Sequence, residues 1–350
     1  MENISITDSP DTATWEQFVA EHPKGTIFHT PQMVAAFRAA AKHEPLVLAA
    51  VKKDGKIVAL LVAVRVKTLP DPLGAISSRS IFYAEPICRT GEGAACALEL
   101  LIAEHDRRMR RKVLFTEVRP FFAAGDERAA LERCSYTFEP YLNFLVDLTV
   151  PLDELMLRMS SSCRAHIRHG LRRGIYAMEA TSPEALESVY NIVGETYARA
   201  HVPLADKSLF EAVYALAPSG SLNVTQVFQD SMLIGGAILL SYRERVLAWY
   251  YGTQRCRSCY AAECLIWHNI EWAQRNGYKI FDFGGAGWPD RPYGVREFKA
   301  KFGGERVCYG RYRKIYSPWK FTIAEKSYEA IRHSAAASLL CGKPQISKAA

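Results

Sequence analysis

A glycine-rich turn that follows an apolar run is the part of the sequence best suited to chemistry. The run from Lys279 to Phe283 contains Asp282, and Gly284 and Gly285 come directly after it. Glycine lets a ligand approach the main chain closely, and ligands of open α/β sheets favour the carboxyl ends of strands. We therefore expect the turn from Gly284 to Gly287 to cradle a ligand.

Two ionisable side chains in this segment could take part in catalysis. Lys299 could stabilise the negatively charged oxygen of an acyl-transfer intermediate, although an isolated lysine is more often simply solvated. Asp282 could orient an amine or act as a base, and a structural carboxylate at a strand end is an equal alternative. Both residues are candidate catalytic groups.

The strongest concentration of positive charge lies between Arg158 and Arg173. This stretch contains five arginines and two histidines and no acidic residue. Arg164 and Arg168 are one helical turn apart, and guanidinium forks suit phosphate and carboxylate oxygens. The stretch predicts either an anion-binding face or an ordinary solvated helix face.

A second basic stretch runs from Lys299 to Lys320, with seven Lys or Arg against the single Glu305. Aromatic residues are interleaved with these cations, a mixture that can bind nucleic acid or a nucleotide by stacking. The residue types from Val307 to Ile315 alternate, which fits a strand with two different faces better than it fits a nucleic-acid-binding surface.

The elements that must position these residues occur twice in the same order. Each half predicts β-α-α-β-β-β-α-β-α-β. The strands predicted in the first half are Leu46–Lys52, Ile57–Val66, Ile81–Ile87 and Val113–Val118, and those in the second are Leu222–Phe228, Leu233–Ser241, Val246–Tyr251 and Lys279–Phe283. Three hairpin-type strands and a crossover helix predict a mixed sheet flanked by helices.

The fold class expected is therefore α/β, in the broad sense that includes α+β, built as two tandem domains of one type. We expect the first domain at residues 1–150 and the second, with the ligand site, at 151–320. Residues 321–350 form a C-terminal helix and tail, whose apolar face at Ile323 to Leu340 predicts packing rather than docking.

Composition excludes several classes of protein. Of the 350 residues 49% are hydrophobic and 23% charged, so the chain can bury a large core and is not disordered. The net charge of +7 allows anionic partners without demanding them. The longest apolar run, Ile57 to Val64, is far shorter than the roughly 20 residues of a membrane span.

Cysteine usage and the N-terminal sequence predict a cytoplasmic protein. The nine cysteines lie without paired spacing, which indicates buried thiols in a reducing compartment. Because the first residues have neither a basic start nor an apolar run, we expect no secretory signal. The spacing of Cys256, Cys259 and Cys264 lacks a second ligand pair, so no metal is expected.

Other motifs are weak or missing. The sequence has no Walker, GxSxG or HExxH motif. The turn from Arg89 to Ala94 hints at a phosphate-binding helix start, but its counterpart from Gln254 to Cys259 contains no glycine.

Three motifs, together with the duplicated order, resemble the FemABX-like, peptidoglycan-bridge-type acyltransferase group of the GNAT (Gcn5-related N-acetyltransferase) superfamily. The motifs are Arg164-x3-Arg168-x5-Gly174, Phe281-Asp282-Phe283-Gly284-Gly285 and Phe298-Lys299-x2-Phe302-Gly303-Gly304. The resemblance covers approximately residues 10–316 and implies two tandem GNAT-like domains.

The resemblance also implies an activity. It implies transfer of an acyl or aminoacyl group to a primary amine of a cell-wall precursor, nucleotide sugar or polysaccharide component, with acyl-CoA or aminoacyl-tRNA as donor. It places Lys299 beside the reacting carbonyl and Arg164 and Arg168 near acceptor phosphates. The substrate-binding residues expected from the sequence are Arg164, Arg168, Phe298, Gly284, Gly285 and Tyr251.

The sequence departs from the group in ways that leave the donor open. Neither half keeps the [QR]-x-x-G-x-[GA] turn of enzymes that use acetyl-CoA. No long helical arm for tRNA occurs between Asp147 and Ala217. The expected partners are an anionic small molecule or carbohydrate and, for an aminoacyl donor, tRNA, while oligomeric state is not predicted.

Two other function classes compete with the transferase. A non-catalytic nucleic-acid-binding protein would use the two basic stretches, Arg158–Arg173 and Lys299–Lys320, as one phosphate track. An inactive duplicated scaffold would bind a partner protein.

Overall fold

The computed structural model describes residues 4–68, 77–91, 93–180, 182–200, 202–255 and 259–333. The chain divides into two compact units. Unit 1 comprises Met1–Tyr141, Ala215–Pro218 and Cys308–Tyr328, and unit 2 comprises Leu142–Tyr214, Ser219–Val307 and Glu329–Ala350.

Strands and helices alternate along the described chain. The strands are β1 Ser5–Thr7, β2 His43–Val51, β3 Ile57–Val66, β4 Arg79–Phe82, β5 Ile87–Cys88, β6 Phe115–Val118, β7 Thr137–Glu139, β8 Asn143–Asp147, β9 Tyr176–Ala180, β10 Leu222–Gln229, β11 Met232–Tyr242, β12 Arg245–Thr253, β13 Ile280–Gly285, β14 Glu305–Val307 and β15 Arg311–Ile315. The α-helices are α1 Thr12–Glu21, α2 Pro31–Ala39, α3 Ala94–Met109, α4 Asp126–Arg133, α5 Leu152–Arg158, α6 Ser161–Arg172, α7 Pro183–Arg199, α8 Lys207–Leu216, α9 Ala261–Arg275, α10 Gly294–Ala300 and α11 Pro318–His333.

Each unit contains one mixed sheet, and the two sheets match position by position. The order is β1-β2-β3-β4-β6-β15-β7 in unit 1, with β5 beside β3, and β9-β10-β11-β12-β13-β8-β14 in unit 2. The fourth and fifth strands of each order, β4 with β6 and β12 with β13, are parallel. The predicted α/β class with two similar mixed sheets is confirmed.

The sixth strand of each sheet comes from the other half of the sequence. β8 follows β7 in the chain but pairs with β13 and β14 of unit 2. β15 follows β14 but pairs with β6 and β7 of unit 1. The boundaries expected at residues 150 and 320 do not follow this exchange, because a hydrophobic pattern identifies a strand but not its partner.

Two strand predictions need correction. The run from Ile81 to Ile87 forms two short strands, β4 and β5, because Pro86 lacks the N–H that a continuous ladder needs. The run from Val307 to Ile315 is also divided: Gly310 takes a left-handed turn at φ +71° between β14 and β15.

Buried apolar side chains join each sheet to its helices. In unit 1 the core includes Leu61 and Phe82 of the sheet and Leu98 of α3. In unit 2 the buried core includes Met159, directly after α5, and Cys163 and Ile167, which lie one turn apart on α6, together with residues of α9 and the sheet. Ser160 caps the start of helix α6, because its side chain accepts a hydrogen bond from the Cys163 N–H.

Several features bear on expectations about metals and membranes. Seven described cysteines are free thiols. Among the described residues, no group of three or more His, Cys, Asp or Glu could hold a metal ion. No helix in the described ranges has the length and apolar composition needed to cross a bilayer. Glu92, Cys256 and the tail from residue 334, which includes part of the expected 323–340 helix, lie outside the described residues.

Candidate functional site

In unit 2 the two parallel strands pair over a short length and then continue without pairing. β12 and β13 are in register only from Arg245 opposite Ile280 to Leu247 opposite Asp282, while β12 extends to Thr253. Beyond Leu247 the two strands share no ladder hydrogen bonds, and at the end of β12 the Thr253 N–H donates to Thr196 Oγ1 while the Thr253 carbonyl accepts from Arg199. This gap, between the unpaired ends of β12 and β13, lies at the carboxyl ends of the strands, where open sheets bind ligands.

A bulge in β12 adjoins the gap. Ala248 and Tyr250 pair with consecutive residues of β11, so Trp249 between them has no residue opposite it. Bulges re-aim side chains and are frequent beside active sites. Sequence reasoning missed this bulge, because Leu-Ala-Trp-Tyr-Tyr fits a regular buried strand equally well.

Lys299 holds the glycine turn that ends β13. The side chain is buried, at 4% exposure, and its ammonium donates to the carbonyl oxygens of Phe283 at 2.6 Å, Gly284 at 3.2 Å and Gly285 at 2.8 Å. All three N–H groups thus bind main-chain oxygens. Burial lowers the pKa of Lys299 to about 8, against the opposing effect of the Asp282 charge.

Asp282 is also buried, and both of its carboxylate oxygens have partners. One carboxylate oxygen accepts from the side-chain amide of Asn143 at 2.8 Å and from the Gly284 N–H at 2.7 Å. The other lies 3.3 Å from the Arg245 guanidinium. The arrangement matches the structural alternative for this carboxylate, in which Asp282 fixes the start of the glycine turn.

Three tyrosines from different elements lie near one another beside the glycine turn. Tyr251 is on β12, Tyr197 on α7 and Tyr293 directly before α10. Burial raises the pKa of Tyr197 and of Tyr251, and the other phenols raise it further. A Cβ at Gly287 would lie 2.8 Å from the Tyr293 ring, so only glycine fits there. The sequence predicted Tyr251 but not the other two.

Phe298 is half-buried and belongs to the core of unit 2. Its ring packs edge-on against Phe302 at a centroid distance of 5.3 Å. This packing fixes the helix that carries Lys299, so Phe298 acts on the site through α10.

The two predicted anion-binding arginines differ in their surroundings. The Arg164 guanidinium donates to the carbonyl oxygens of Leu157, at 3.1 Å, and Met159, so it caps the end of α5. Arg168 is exposed on α6. The two side chains therefore do not form one clamp, and Arg168 is the more accessible.

The second basic stretch does not form one surface. Lys299 points into unit 2, whereas Arg311, Arg313 and Lys314 lie on β15 in the sheet of unit 1. Arg313 pairs with Glu117 and Lys314 with Asp106. These pairs favour the alternating-strand interpretation over a phosphate track.

The start of helix α9 carries an acidic side chain. Tyr260 precedes the helix in a left-handed conformation, at φ +54°. Glu263 in the first turn lies 3.0 Å from the His166 ring nitrogen, and the His166 ring stacks on Tyr260 at 3.9 Å. An anion bound at this helix terminus would meet the Glu263 carboxylate. The preceding residues 256–258 lie outside the described ranges.

Comparison with known proteins agrees with this description. Residues 158–299 match the family described as "Acetyltransferase (GNAT) domain", and this segment contains the gap, the glycine turn and Lys299. No curated protein matches the sequence.

Several solved structures share the fold of nearly the whole chain. The crystal structure of FemX is 13% identical, with a TM-score of 0.66 over 94% of this chain and 100% of that one. The C-terminal domain of a putative lysylphosphatidylglycerol synthetase from Agrobacterium fabrum is 15% identical, with a TM-score of 0.58 over 91% and 96%. A tandem GNAT protein from the clavulanic acid biosynthesis pathway is 14% identical, with a TM-score of 0.53 over 90% and 99%. The tandem GNAT-like fold expected from the sequence is confirmed.

Proposed function

We propose that this protein is an N-acyltransferase that moves an acyl or aminoacyl group from an activated donor to a primary amine. The proposal rests chiefly on the gap between β12 and β13, where the two strands stop pairing after Leu247 and Asp282, beside a glycine turn that Lys299 holds. It is supported by the match of residues 158–299 to the GNAT domain.

The reaction needs no nucleophile from the protein. The amine lone pair attacks the acyl carbonyl carbon, and the carbonyl oxygen gains negative charge. Collapse of this intermediate expels the donor's leaving group, and the amine nitrogen gives up a proton to the leaving group or to water. Main-chain N–H groups along the gap would stabilise the charged oxygen. Alignment of the two substrates would contribute the rest of the decrease in the activation barrier.

In this proposal Lys299 and Asp282 are positioning residues. Lys299 holds three carbonyl oxygens of the turn, and Asp282 holds the Gly284 N–H. Together they fix the backbone against which the donor lies. The Lys299 charge also favours negative charge developing nearby.

The proposed acceptor is an amine of a cell-wall precursor, nucleotide sugar or polysaccharide component. The exposed arginine of α6, Arg168, would contact its anionic group. FemX and the lysylphosphatidylglycerol synthetase domain have this fold, which is compatible with either an acyl-CoA or an aminoacyl-tRNA donor. Glu263 at the start of α9 disfavours a pyrophosphate at that terminus.

The test is a transfer assay with two donors in parallel. Radiolabelled acetyl-CoA or aminoacyl-tRNA is incubated with the protein and a nucleotide-linked amino sugar, and product is measured by label and mass. We expect transfer from one donor, and a loss of about 100-fold in kcat/KM for Lys299→Ala, the size found when preorganised stabilisation is lost.

Lys279→Ala is the matched control, because the Lys279 side chain is exposed and forms a surface ion pair with Glu244. It should retain activity within about twofold. Full activity of a folded Lys299→Ala variant would contradict the proposed role of Lys299, and absence of transfer from both donors to any amine would contradict the proposed function.

A further inference from the structure

Three arginines surround one buried carboxylate in unit 1. Glu117 of β6 has a side chain only 5% exposed. One of its oxygens accepts from Arg119 Nε at 2.7 Å and from Arg311 at 3.1 Å, and the other lies 3.3 Å from Arg313. Strands β6 and β15 thus bring these four groups to one face of the sheet.

The charges in this cluster do not cancel. Arg313 also pairs with Glu139, at 3.2 Å, so three guanidinium groups face two carboxylates and one positive charge remains. Arg119 and Arg311 share a single carboxylate oxygen. Burial lowers the pKa of Arg311 and the neighbouring Arg119 charge lowers it further, whereas the Glu117 charge raises the pKa of Arg119.

The remaining positive charge is accessible at the Arg119 guanidinium. Arg119 binds Glu117 through Nε alone, and among the described residues neither of its terminal NH₂ groups has a hydrogen-bond partner. Its side chain is 32% exposed. Guanidinium NH₂ groups in this state are the donors that bind phosphate or carboxylate oxygens as a fork.

Aromatic rings hold both guanidinium groups in place. The Arg311 guanidinium carbon lies 3.6 Å from the centre of the Tyr141 ring, and that of Arg119 lies 5.6 Å from Tyr83. Such stacking restricts the side chains without using their N–H donors. The donors are therefore preorganised, which reduces the entropy lost when an anion binds.

The cluster also lies where a ligand site is expected in an open sheet. Arg119 comes directly after the last residue of β6, and Tyr83 directly after the last residue of β4. These are the carboxyl ends of the parallel pair of unit 1. The corresponding ends in unit 2 carry the gap and the glycine turn.

We propose that Arg119 and Arg311 form a binding site in unit 1 for an anionic group, phosphate or carboxylate, of a small-molecule ligand. Glu117 aligns the two guanidinium groups and leaves their outer N–H donors for the ligand. All of these residues belong to unit 1, and the test of the site does not depend on transfer activity.

Isothermal titration calorimetry at constant ionic strength tests the site. Inorganic pyrophosphate and succinate are titrated separately, so the experiment distinguishes phosphate from carboxylate recognition. We expect one of them to bind with 1:1 stoichiometry and Arg119→Gln to weaken that binding at least tenfold. Arg119→Lys should give a smaller loss, because an ammonium keeps the charge but not the fork.

Two variants serve as controls. Arg133→Gln changes an exposed arginine of the same unit that pairs with Glu99, and Arg107→Gln changes another exposed arginine of unit 1 that pairs with Glu104. Both should leave the affinity within about twofold. Equal binding by wild type and Arg119→Gln, an equal loss of binding in either control variant, or binding of neither anion would overturn the proposal.

Glu117→Gln separates a binding site from a purely structural ion cluster. If the cluster only locks β15 to β6, removing the carboxylate weakens the fold and creates no anion affinity. If the cluster is a binding site, the wild-type protein binds the anion, and the folded variant should bind it about tenfold more weakly, because the two guanidinium groups lose the carboxylate that aligns them.

Discussion

In each unit a buried charged side chain holds the turn that follows the fifth strand in the sheet order, which is β6 in unit 1 and β13 in unit 2. The two charges are opposite in sign. In unit 1 the buried Glu85 carboxylate accepts hydrogen bonds from the N–H groups of Phe121, at 2.8 Å, and Phe122, at 3.2 Å. In unit 2 the buried Lys299 ammonium donates to three carbonyl oxygens of the corresponding turn. The same place in the same fold can therefore be stabilised by an anion on N–H groups or by a cation on C=O groups.

The sign of the buried charge determines which chemistry each turn can support. A cation next to the gap of unit 2 favours an oxygen that gains negative charge, whereas a carboxylate at this place in unit 1 opposes it. The strand pairing differs in the same sense. β4 and β6 pair over all four residues of each strand, and β12 and β13 over three residues only. Both differences favour unit 2 for acyl transfer.

The largest expected effect is a pair of opposite pH dependences. Burial raises the pKa of Glu85 to about 7 and lowers that of Lys299 to about 8. Ionised Glu85 costs stability, so unit 1 should weaken as pH rises from about 4.5 to 7. Ionised Lys299 also costs stability, so unit 2 should strengthen as pH rises from about 8 to 10.5. Each change is about 3 kcal/mol.

Hydrogen exchange of residues 115–122 and 281–286 measures the two units separately. Glu85→Gln should remove the pH dependence of the first segment only, and Lys299→Met that of the second segment only. Persistence of either dependence in its own variant would show that another group causes it.

A smaller loss is expected for Asp282→Asn. The amide keeps one acceptor for the Gly284 N–H but removes the negative charge opposite the Arg245 guanidinium. Loss of this buried charge should lower the free energy of unfolding of unit 2 by about 2 kcal/mol. Urea unfolding measures it, and Asp147→Asn, at the exposed end of β8, is the control with a change below about 1 kcal/mol. Equal effects of the two substitutions would contradict the anchoring role of Asp282.

The smallest effects should separate the two arginines of α6. Arg164→Gln removes the donor to the last carbonyls of α5 and should cost about 1 kcal/mol. Arg168→Gln changes an exposed side chain and should alter stability by less than about 0.5 kcal/mol while raising KM for an anionic acceptor. If Arg168→Gln leaves KM unchanged, the acceptor binds elsewhere.

The sequence predicted the strands and helices of the fold better than it predicted which strands pair with each other. Strand β3 begins and ends where the hydrophobic pattern indicated, because a continuous apolar run is a local property of the sequence. The exchange of β8 and β15 was not predictable, since strand pairing depends on residues far apart in the chain. In the site, the glycine turn and Lys299 were identified by residue type. The direction of the lysine and the Trp249 bulge depend on backbone geometry that one sequence does not encode locally.

The exchanged strands also constrain how the chain folds as it is synthesised. β15 pairs with both β6 and β7 in the sheet of unit 1. Each of these two strands therefore lacks a neighbour until residues 311–315 emerge from the ribosome. During that interval β6 presents an open edge that could pair with another chain. A nascent chain that stops short of residue 311 should therefore aggregate, even though most of unit 1 is already made.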